Sequence, residues 1–134
     1  MLRGKTFGMI TAACAMTIFA VTAQAQTAGA FMTNPAFADP PPKDCTNTVD
    51  MQHCAAHDLR VADALMSQRY KAKRAGLDQT GKKQLLQEQR KWLKERDSSC
   101  MARADQYAGG TMAGIAVAQC WVEVTRLRAD ALAK

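Results

Sequence analysis

The chain has 134 residues, of which 48% are hydrophobic and 22% charged, and its 18 Lys and Arg outnumber 12 Asp and Glu to give a net charge of +6. This basic excess is mild rather than extreme. The composition therefore does not indicate a nucleic-acid-binding protein, and no nucleic acid is expected as a partner.

The N-terminal stretch has the layout of a secretory signal peptide. Arg3 and Lys5 give it a positive start, and residues 7–21 form an apolar run without charge. Ala23-Gln24-Ala25 then offers the small residues of a cleavage site. The alternative is a membrane anchor, but the apolar run is shorter than the roughly 20 residues that a spanning helix needs. We therefore expect residues 1–25 to be removed. The mature chain is then periplasmic or secreted and has no transmembrane segment.

Removal of this segment changes both the charge and the cysteine count. Without Arg3 and Lys5, the 18 basic residues become 16 against 12 acidic ones, so the net charge falls from +6 to +4. Cys14 is lost as well. The mature chain keeps Cys45, Cys54, Cys100 and Cys120. An even number in a small exported domain predicts two disulfides, and oxidised cysteines do not act as thiolate nucleophiles.

Residues 26–44 contain every proline of the chain, namely Pro35 and the run 40–42. Proline fixes φ and lacks an amide donor, and a run of prolines favours extended polyproline II. We expect this segment to be a mobile linker. Phe31 and Phe37 are candidates for docking on the following domain, although nothing in the sequence requires it.

From residue 45 to 134 the composition shifts to strong helix formers. Three helices are predicted: from about Thr48 to Ala75, from Asp78 or Thr80 to about Tyr107, and from Thr111 onward. Gly76 and the pair Gly109-Gly110 separate them. No stretch alternates between apolar and polar residues as a half-buried strand does. The predicted fold is all-α, a small antiparallel three-helix bundle joined by two disulfides.

Apolar residues recur at spacings of three and four along these helices. The inward stripe of the first helix is Leu59, Ala62, Met66 and Tyr70. The inward stripe of the third helix is Ile115, Val122, Ala129 and Leu132, with Cys120, Val124 and Leu127 beside it. These stripes predict that the helices pack on one another.

The level of each cysteine along the bundle suggests a pairing. In an antiparallel hairpin, Cys54 on the first helix lies level with Cys100 on the second. Cys120 falls at the same end of the bundle, where Cys45 can reach it. We favour Cys54–Cys100 and Cys45–Cys120. The swapped pairing, Cys45–Cys100 and Cys54–Cys120, stays open because the sequence does not decide connectivity.

The second helix carries the most distinctive residues of the chain. Gln89, Trp92 and Arg96 follow one another at spacings of three and four, so they share one inward face. Buried amide and guanidinium groups need hydrogen-bond partners, for which Asp63 and Asp97 are candidates. The pattern predicts a hydrogen-bond network between helices. The alternative is a recognition or catalytic site.

Few residues point to catalysis. The chain has no Gly-x-Ser-x-Gly motif and no phosphate-binding glycine loop, so no catalytic residue and no cofactor is predicted. The only histidines, His53 and His57, lie four residues apart and could touch one metal ion, but the Glu of a His-Glu-x-x-His site is missing. We expect two exposed polar side chains there and no metal site.

Residues 89–100 match the pattern Gln-Arg-x-Trp-Leu-x-x-Arg-Asp-x-x-Cys. This motif resembles that of the LprI-like family of small exported bacterial proteins, named for a lysozyme inhibitor, and the resemblance covers residues 45–134. Supporting positions are Asp63, Tyr70 and Arg128. Met66 and Ser67 depart from the Leu and Asn usual in the family. The resemblance implies a helical, disulfide-bonded envelope protein that is not an enzyme. From their inward-facing spacing, we expect the motif residues to have a structural role.

The resemblance also implies a partner class, the lysozyme-type muramidases. Vertebrate-type lysozymes are strongly basic, so a mature charge of +4 repels them at long range, and contact needs a local acidic patch. Asp44, Asp50 and Asp58 lie near the start of the first helix and are the candidate partner surface. The alternative function is a structural or stress-related envelope protein that binds wall polymer, anionic lipid or another envelope protein.

Overall fold

A computed structural model describes residues 26–108 and 110–134, and the predicted signal peptide lies outside this part. The described chain has four α-helices: α1 Ala28–Met32, α2 Thr48–Ala75, α3 Gln79–Met101 and α4 Met112–Leu132. It also has two 3₁₀ helices, Pro35–Phe37 and Ala102–Tyr107, and the described residues contain no strand. The all-α prediction is confirmed. None of the described helices is both long and apolar enough to cross a membrane.

Two of the three long helices begin at a side-chain cap. Asn47 precedes α2, and its side-chain oxygen accepts hydrogen bonds from two amides of the first turn at 3.0 and 2.9 Å. Asp78 precedes α3 and accepts from the amide of Gly81 at 2.7 Å. Such caps satisfy amides that have no partner within the helix. Thr111 precedes α4 as predicted, but its side chain makes no capping hydrogen bond.

Helices α2 and α4 run parallel to each other, and α3 runs antiparallel to both. Asp58 on α2 lies beside Arg126 on α4, with 3.6 Å between Oδ2 and Nη2. Further along the same two helices, Arg69 pairs with Asp130 at 2.6 Å. Helix α3 ends earlier than predicted, and the 3₁₀ helix after it carries the chain round to α4.

The hydrophobic core lies mainly between α2 and α4. It contains Leu59 and Trp121 at the end near the disulfides, and Met66 and Leu132 at the other end. The predicted inward stripe of α4 is buried, but Leu127, which is predicted to lie beside that stripe, is 61% exposed. The predicted stripe omits Trp121, which is 1% exposed and the largest fully buried side chain.

The predicted disulfide pairing is wrong. The bonds are Cys45–Cys54, with 6.3 Å between Cα atoms, and Cys100–Cys120, with 5.5 Å. Neither the favoured pairing nor the swapped one occurs, because a cysteine's level along the bundle does not decide which face it occupies. Cys100 is fully buried and meets α4, whereas Cys54 is only partly buried and meets the chain that precedes α2. Each bond therefore closes a short local loop.

Residues 26–44, which we call the N-terminal arm, lie against the long helices. Phe31 of the arm lies between Phe37 and Trp121, with ring centroids 5.3 and 5.5 Å apart. At the start of α1, the amide of Ala28 donates to Asp97 on α3 at 3.4 Å. The segment predicted as a linker therefore has its own short helices and contacts, and its mobility stays a prediction.

Candidate functional site

The polar motif residues of α3 meet α4 inside the bundle. Gln89 and Arg96 are 8% and 5% exposed. Arg128 on α4 donates from Nε to the Gln89 side-chain oxygen at 3.0 Å. Arg96 donates from Nε to the Asp97 carboxylate at 3.0 Å and from Nη1 to the Thr125 hydroxyl at 3.4 Å. The bonds from Arg128 to Gln89 and from Arg96 to Thr125 join α3 to α4, whereas Arg96 and Asp97 both belong to α3. All three bonds provide partners for groups whose burial alone would be costly.

Trp92 lies next to both guanidinium groups. Its ring centroid is 5.2 Å from Cζ of Arg96 and 5.8 Å from Cζ of Arg128. A cation within about 6 Å of an indole face is attracted by the ring. Trp92 is half-buried and packs at the edge of the core rather than in its centre.

Asp63 and Tyr70 border the same region from α2. Burial raises the pKa of the Asp63 carboxyl above its usual range, and the nearby charge of Arg96 offsets part of this rise. The hydroxyl of Tyr70 is buried without a hydrogen-bond partner among the described residues. We call these seven residues the motif cluster: Asp63, Tyr70, Gln89, Trp92, Arg96, Asp97 and Arg128.

The polar centre of the motif cluster is little exposed. Arg96 pairs with Asp97, and its guanidinium side chain is 4% exposed. Gln89, Arg96, Asp97 and Arg128 bond chiefly to one another and to Thr125, while Nη2 of Arg128 is buried without a partner among the described residues. This arrangement can hold three helices in register, but it presents little surface to a substrate or partner.

A surface groove of about 520 Å³ lies between α2 and α4 beside the Cys45–Cys54 disulfide. We call it the α2–α4 groove, and its lining residues are Cys45, Cys54, Ala55, Asp58, Gln119, Val122, Glu123, Arg126 and Leu127. Two carboxylates and one guanidinium line it. The pair between Asp58 and Arg126 is 3.6 Å long, and both side chains are more than half exposed. The groove therefore carries charge that water or a partner can reach.

Exposed apolar side chains adjoin these charges. Leu127 lines the groove and is 61% exposed. Val61 and Leu65 follow Asp58 on the same face of α2 at spacings of three and four, and they are 54% and 38% exposed. Apolar surface grouped in this way is typical of interaction sites.

Of the three residues predicted as a partner surface, only Asp58 lines the groove. Asp50 lies two turns earlier on the same face of α2, where it accepts a hydrogen bond from the Asn47 amide. Asp44 is exposed and directly precedes Cys45, which lines the groove. Sequence reasoning missed Glu123 and Leu127. They lie four residues apart on α4, but this spacing indicates a shared outward face only when the inward face of α4 is known.

The two histidines both contact the N-terminal arm. His53 Nε2 lies 2.6 Å from the carbonyl oxygen of Ala38, and His57 Nδ1 lies 2.7 Å from Asp39 Oδ1. Arg60 donates to the same carboxylate from Nη2 at 2.6 Å and from Nε at 3.1 Å. Hydrogen bonds from Arg60 and then His57 lower the pKa of Asp39 from 3.8 to about 2. In the described part of the chain, no three His, Cys, Asp or Glu side chains are placed to hold a metal ion.

A second cavity, of about 460 Å³, lies between the N-terminal arm and the ends of α2 and α4. We call it the arm cavity. It is lined by three aromatic rings, three carboxamides and two small residues: Phe31, Phe37, Trp121, Gln26, Asn34, Gln52, Ala30 and Gly114. No charged side chain is among these described lining residues.

Comparison with known proteins places this architecture in a family. The family description "Lysozyme inhibitor LprI" matches residues 41–132, which span α2 to α4 and both disulfides. The chain is also similar to "Uncharacterized protein R02472" of Rhizobium meliloti (strain 1021), at 32% identity over 112 residues, covering 72% of this chain and 81% of that protein. No solved structure gives a significant match. The chain therefore belongs to the family described as lysozyme inhibitor LprI.

Proposed function

We propose that this protein is an exported binding protein, periplasmic or secreted, that inhibits a lysozyme-type muramidase without catalysing a reaction. Family membership supports this proposal, and two disulfides suit an oxidising compartment outside the cytosol. The observation that carries it is the α2–α4 groove, where exposed apolar surface adjoins acidic side chains.

The groove has the two components that a basic partner would need. Leu127 supplies apolar area that loses contact with water when a partner covers it. Asp58 and Glu123 supply two negative charges against the one positive charge of Arg126. The remaining negative charge speeds the encounter with a basic surface and selects the partner. Without residues 1–25 the chain carries 16 basic and 12 acidic residues, a net charge of +4, so attraction to a basic enzyme has to be local.

Inhibition follows from coverage rather than from chemistry. A muramidase acts on a polymer that must enter its cleft. If the basic segment that docks in the groove borders that cleft, the bound helical bundle blocks the polymer sterically. The complex is then stoichiometric, and loss of activity saturates near one inhibitor per enzyme.

The test is a titration of the purified, oxidised protein into a muramidase assay on peptidoglycan, at low and moderate salt. The informative variant is the double neutralisation Asp58→Asn/Glu123→Gln. The matched control is Glu88→Gln/Glu95→Gln, which removes the same charge from the exposed face of α3.

We expect the wild type and the α3 control to inhibit equally and the groove variant to inhibit at least tenfold more weakly, with the largest difference at low salt. Equal inhibition by both double variants would show that the groove is not the contact surface. Absence of inhibition by folded wild-type protein at large excess would reject the function for the enzymes tested.

A further inference from the structure

We propose that the arm cavity binds an uncharged saccharide. The cavity shares no lining residue with the α2–α4 groove, so this site is separate from the proposed muramidase contact. Its volume of about 460 Å³ falls within the range of small-molecule pockets, roughly 300–1,000 Å³. Both the aromatic and the polar parts of its lining favour this class of ligand.

The aromatic part of the lining offers flat apolar surface. Phe31 and Phe37 come from the arm and are half-buried, with their ring centroids 5.3 Å apart. Trp121 packs against Phe31 from the core side, with 5.5 Å between the two ring centroids. A pyranose ring has C–H faces without hydroxyl groups, and these faces pack on aromatic rings.

The polar part of the lining is made of carboxamides. Gln26, Asn34 and Gln52 each carry a donor and an acceptor group. The Asn34 oxygen accepts from the amide of Ala36 at 3.0 Å, and this bond does not use its NH₂ donors. Sugar hydroxyl and acetamido groups likewise both donate and accept, which makes them complementary to carboxamides.

The absence of charge narrows the class further. No Lys, Arg, Asp or Glu is among the described residues that line the cavity. A phosphate or carboxylate entering it would meet no charged side chain, and only the α-amino group that cleavage before Gln26 creates would offset its loss of water. The side chains of the cavity therefore favour a neutral saccharide over anionic headgroups and nucleotides.

Gly114 helps to keep the cavity open. A Cβ atom at this position would lie 3.6 Å from Nε2 of Gln52, an ordinary contact distance. One methyl group is therefore accommodated, whereas a larger side chain would extend into the space between α4 and Gln52. This gives a variant that fills the cavity without changing its charge.

The test measures binding of chitotriose and maltotriose to the mature, oxidised protein by calorimetry and by NMR shifts. The variants are Gln52→Ala, which removes one carboxamide, and Gly114→Leu, which fills the cavity. The matched control is Gln119→Ala, which removes an exposed carboxamide of α4 that lines the α2–α4 groove and not the arm cavity. Circular dichroism and thermal unfolding establish that each variant is folded.

We expect saturable binding of at least one trisaccharide, a loss of about tenfold in Gln52→Ala, no measurable binding in Gly114→Leu, and wild-type affinity in Gln119→Ala. Stronger binding of chitotriose than of maltotriose would indicate that the side-chain carboxamides of the cavity hydrogen-bond to the acetamido groups of the sugar. Failure of both sugars to bind the wild type would overturn the proposal. Unchanged affinity in Gln52→Ala would do so as well, even if Gly114→Leu failed to fold.

Discussion

The motif cluster and the α2–α4 groove both involve α2 and α4, but their polar groups differ in exposure to solvent. In the motif cluster, Arg96 is 5% exposed and bonds to Asp97 and Thr125. In the groove, Asp58 and Arg126 form a looser pair of 3.6 Å with both side chains more than half exposed. A buried ion pair constrains geometry, whereas an exposed pair contributes little stability. The first region is suited to hold the fold, and the second is free to meet a partner.

The residues that form a recognisable sequence motif are therefore different from the residues that are exposed for binding. The motif of residues 89–100 carries the resemblance seen in the sequence, yet its Gln89 and Arg96 are buried in the bundle. Glu123 and Leu127 belong to no motif, yet they line the exposed groove. The buried motif residues are therefore suited to a structural role, whereas the exposed groove residues can meet a partner.

The largest effect on stability is expected from loss of the buried disulfide. Cys100→Ala/Cys120→Ala opens a loop with a sequence separation of 20 and removes two buried sulfur atoms. We expect the free energy of unfolding to fall by about 4 kcal/mol. Chemical denaturation of the purified variant measures this.

The matched variant is Cys45→Ala/Cys54→Ala, which opens a loop with a separation of 9 at a partly exposed position. Its expected loss is about 2.5 kcal/mol. A larger loss of unfolding free energy in this variant than in Cys100→Ala/Cys120→Ala would contradict the placement of the Cys100–Cys120 disulfide in the core.

The second effect concerns the buried ion pair. Asp97→Ala leaves the Arg96 guanidinium, whose side chain is 4% exposed, without its bonded carboxylate. We expect a loss of about 3 kcal/mol in the free energy of unfolding. Asp105→Ala is the control, because it removes an exposed carboxylate and should change stability by less than about 0.5 kcal/mol. If both variants unfolded at the same denaturant concentration, the motif cluster would not be structural.

Much of the fold could be predicted from the sequence because its signals are local. Asn47 and Asp78 cap the helices that follow them, and the 3.6-residue period places Leu59 and Ile115 in the core. Each of these inferences depends only on residues within one or two turns of the same helix.

The remaining features depend on the rotation of one helix against another. The pairing of Cys54 with Cys100 is predicted from the height of each residue along the bundle. The sequence does not show which side of its helix faces the other helix. Trp121 lies one position from the predicted stripe residue Val122, and both are buried because α4 is covered on more than one side. Docking of Phe31 likewise requires a partner ring on α4.

A smaller effect is expected from acidification of the N-terminal arm. The pKa of Asp39 is about 2 in the folded protein against an ordinary 3.8. Because the folded value is the lower one, ionised Asp39 stabilises the docked arm above the ordinary pKa, and this stabilisation is lost as pH falls from 3.8 towards 2. We expect the arm to become cleavable by pepsin across this window.

Asp39→Asn should expose the arm to pepsin already at pH 4, because its contacts with Arg60 and His57 lose the carboxylate charge. Asp44→Asn, a nearby exposed substitution, should keep the wild-type dependence on pH. Equal cleavage of all three proteins at pH 4 would contradict a role of Asp39 in holding the arm.

The measurement that tests the central claim most directly is a crossed comparison of one motif variant and one groove variant. Gln89→Ala removes the acceptor for Arg128 inside the bundle, and Leu127→Ser removes an exposed apolar side chain from the groove. For each variant, the free energy of unfolding and the Kd for an inhibited muramidase are measured at a temperature where both variants are folded. We expect Gln89→Ala to lose about 2 kcal/mol of stability with an unchanged Kd, and Leu127→Ser to keep its stability with a Kd raised at least tenfold. An intact fold with lost binding in Gln89→Ala, together with wild-type binding in Leu127→Ser, would reverse the assignment of the two regions.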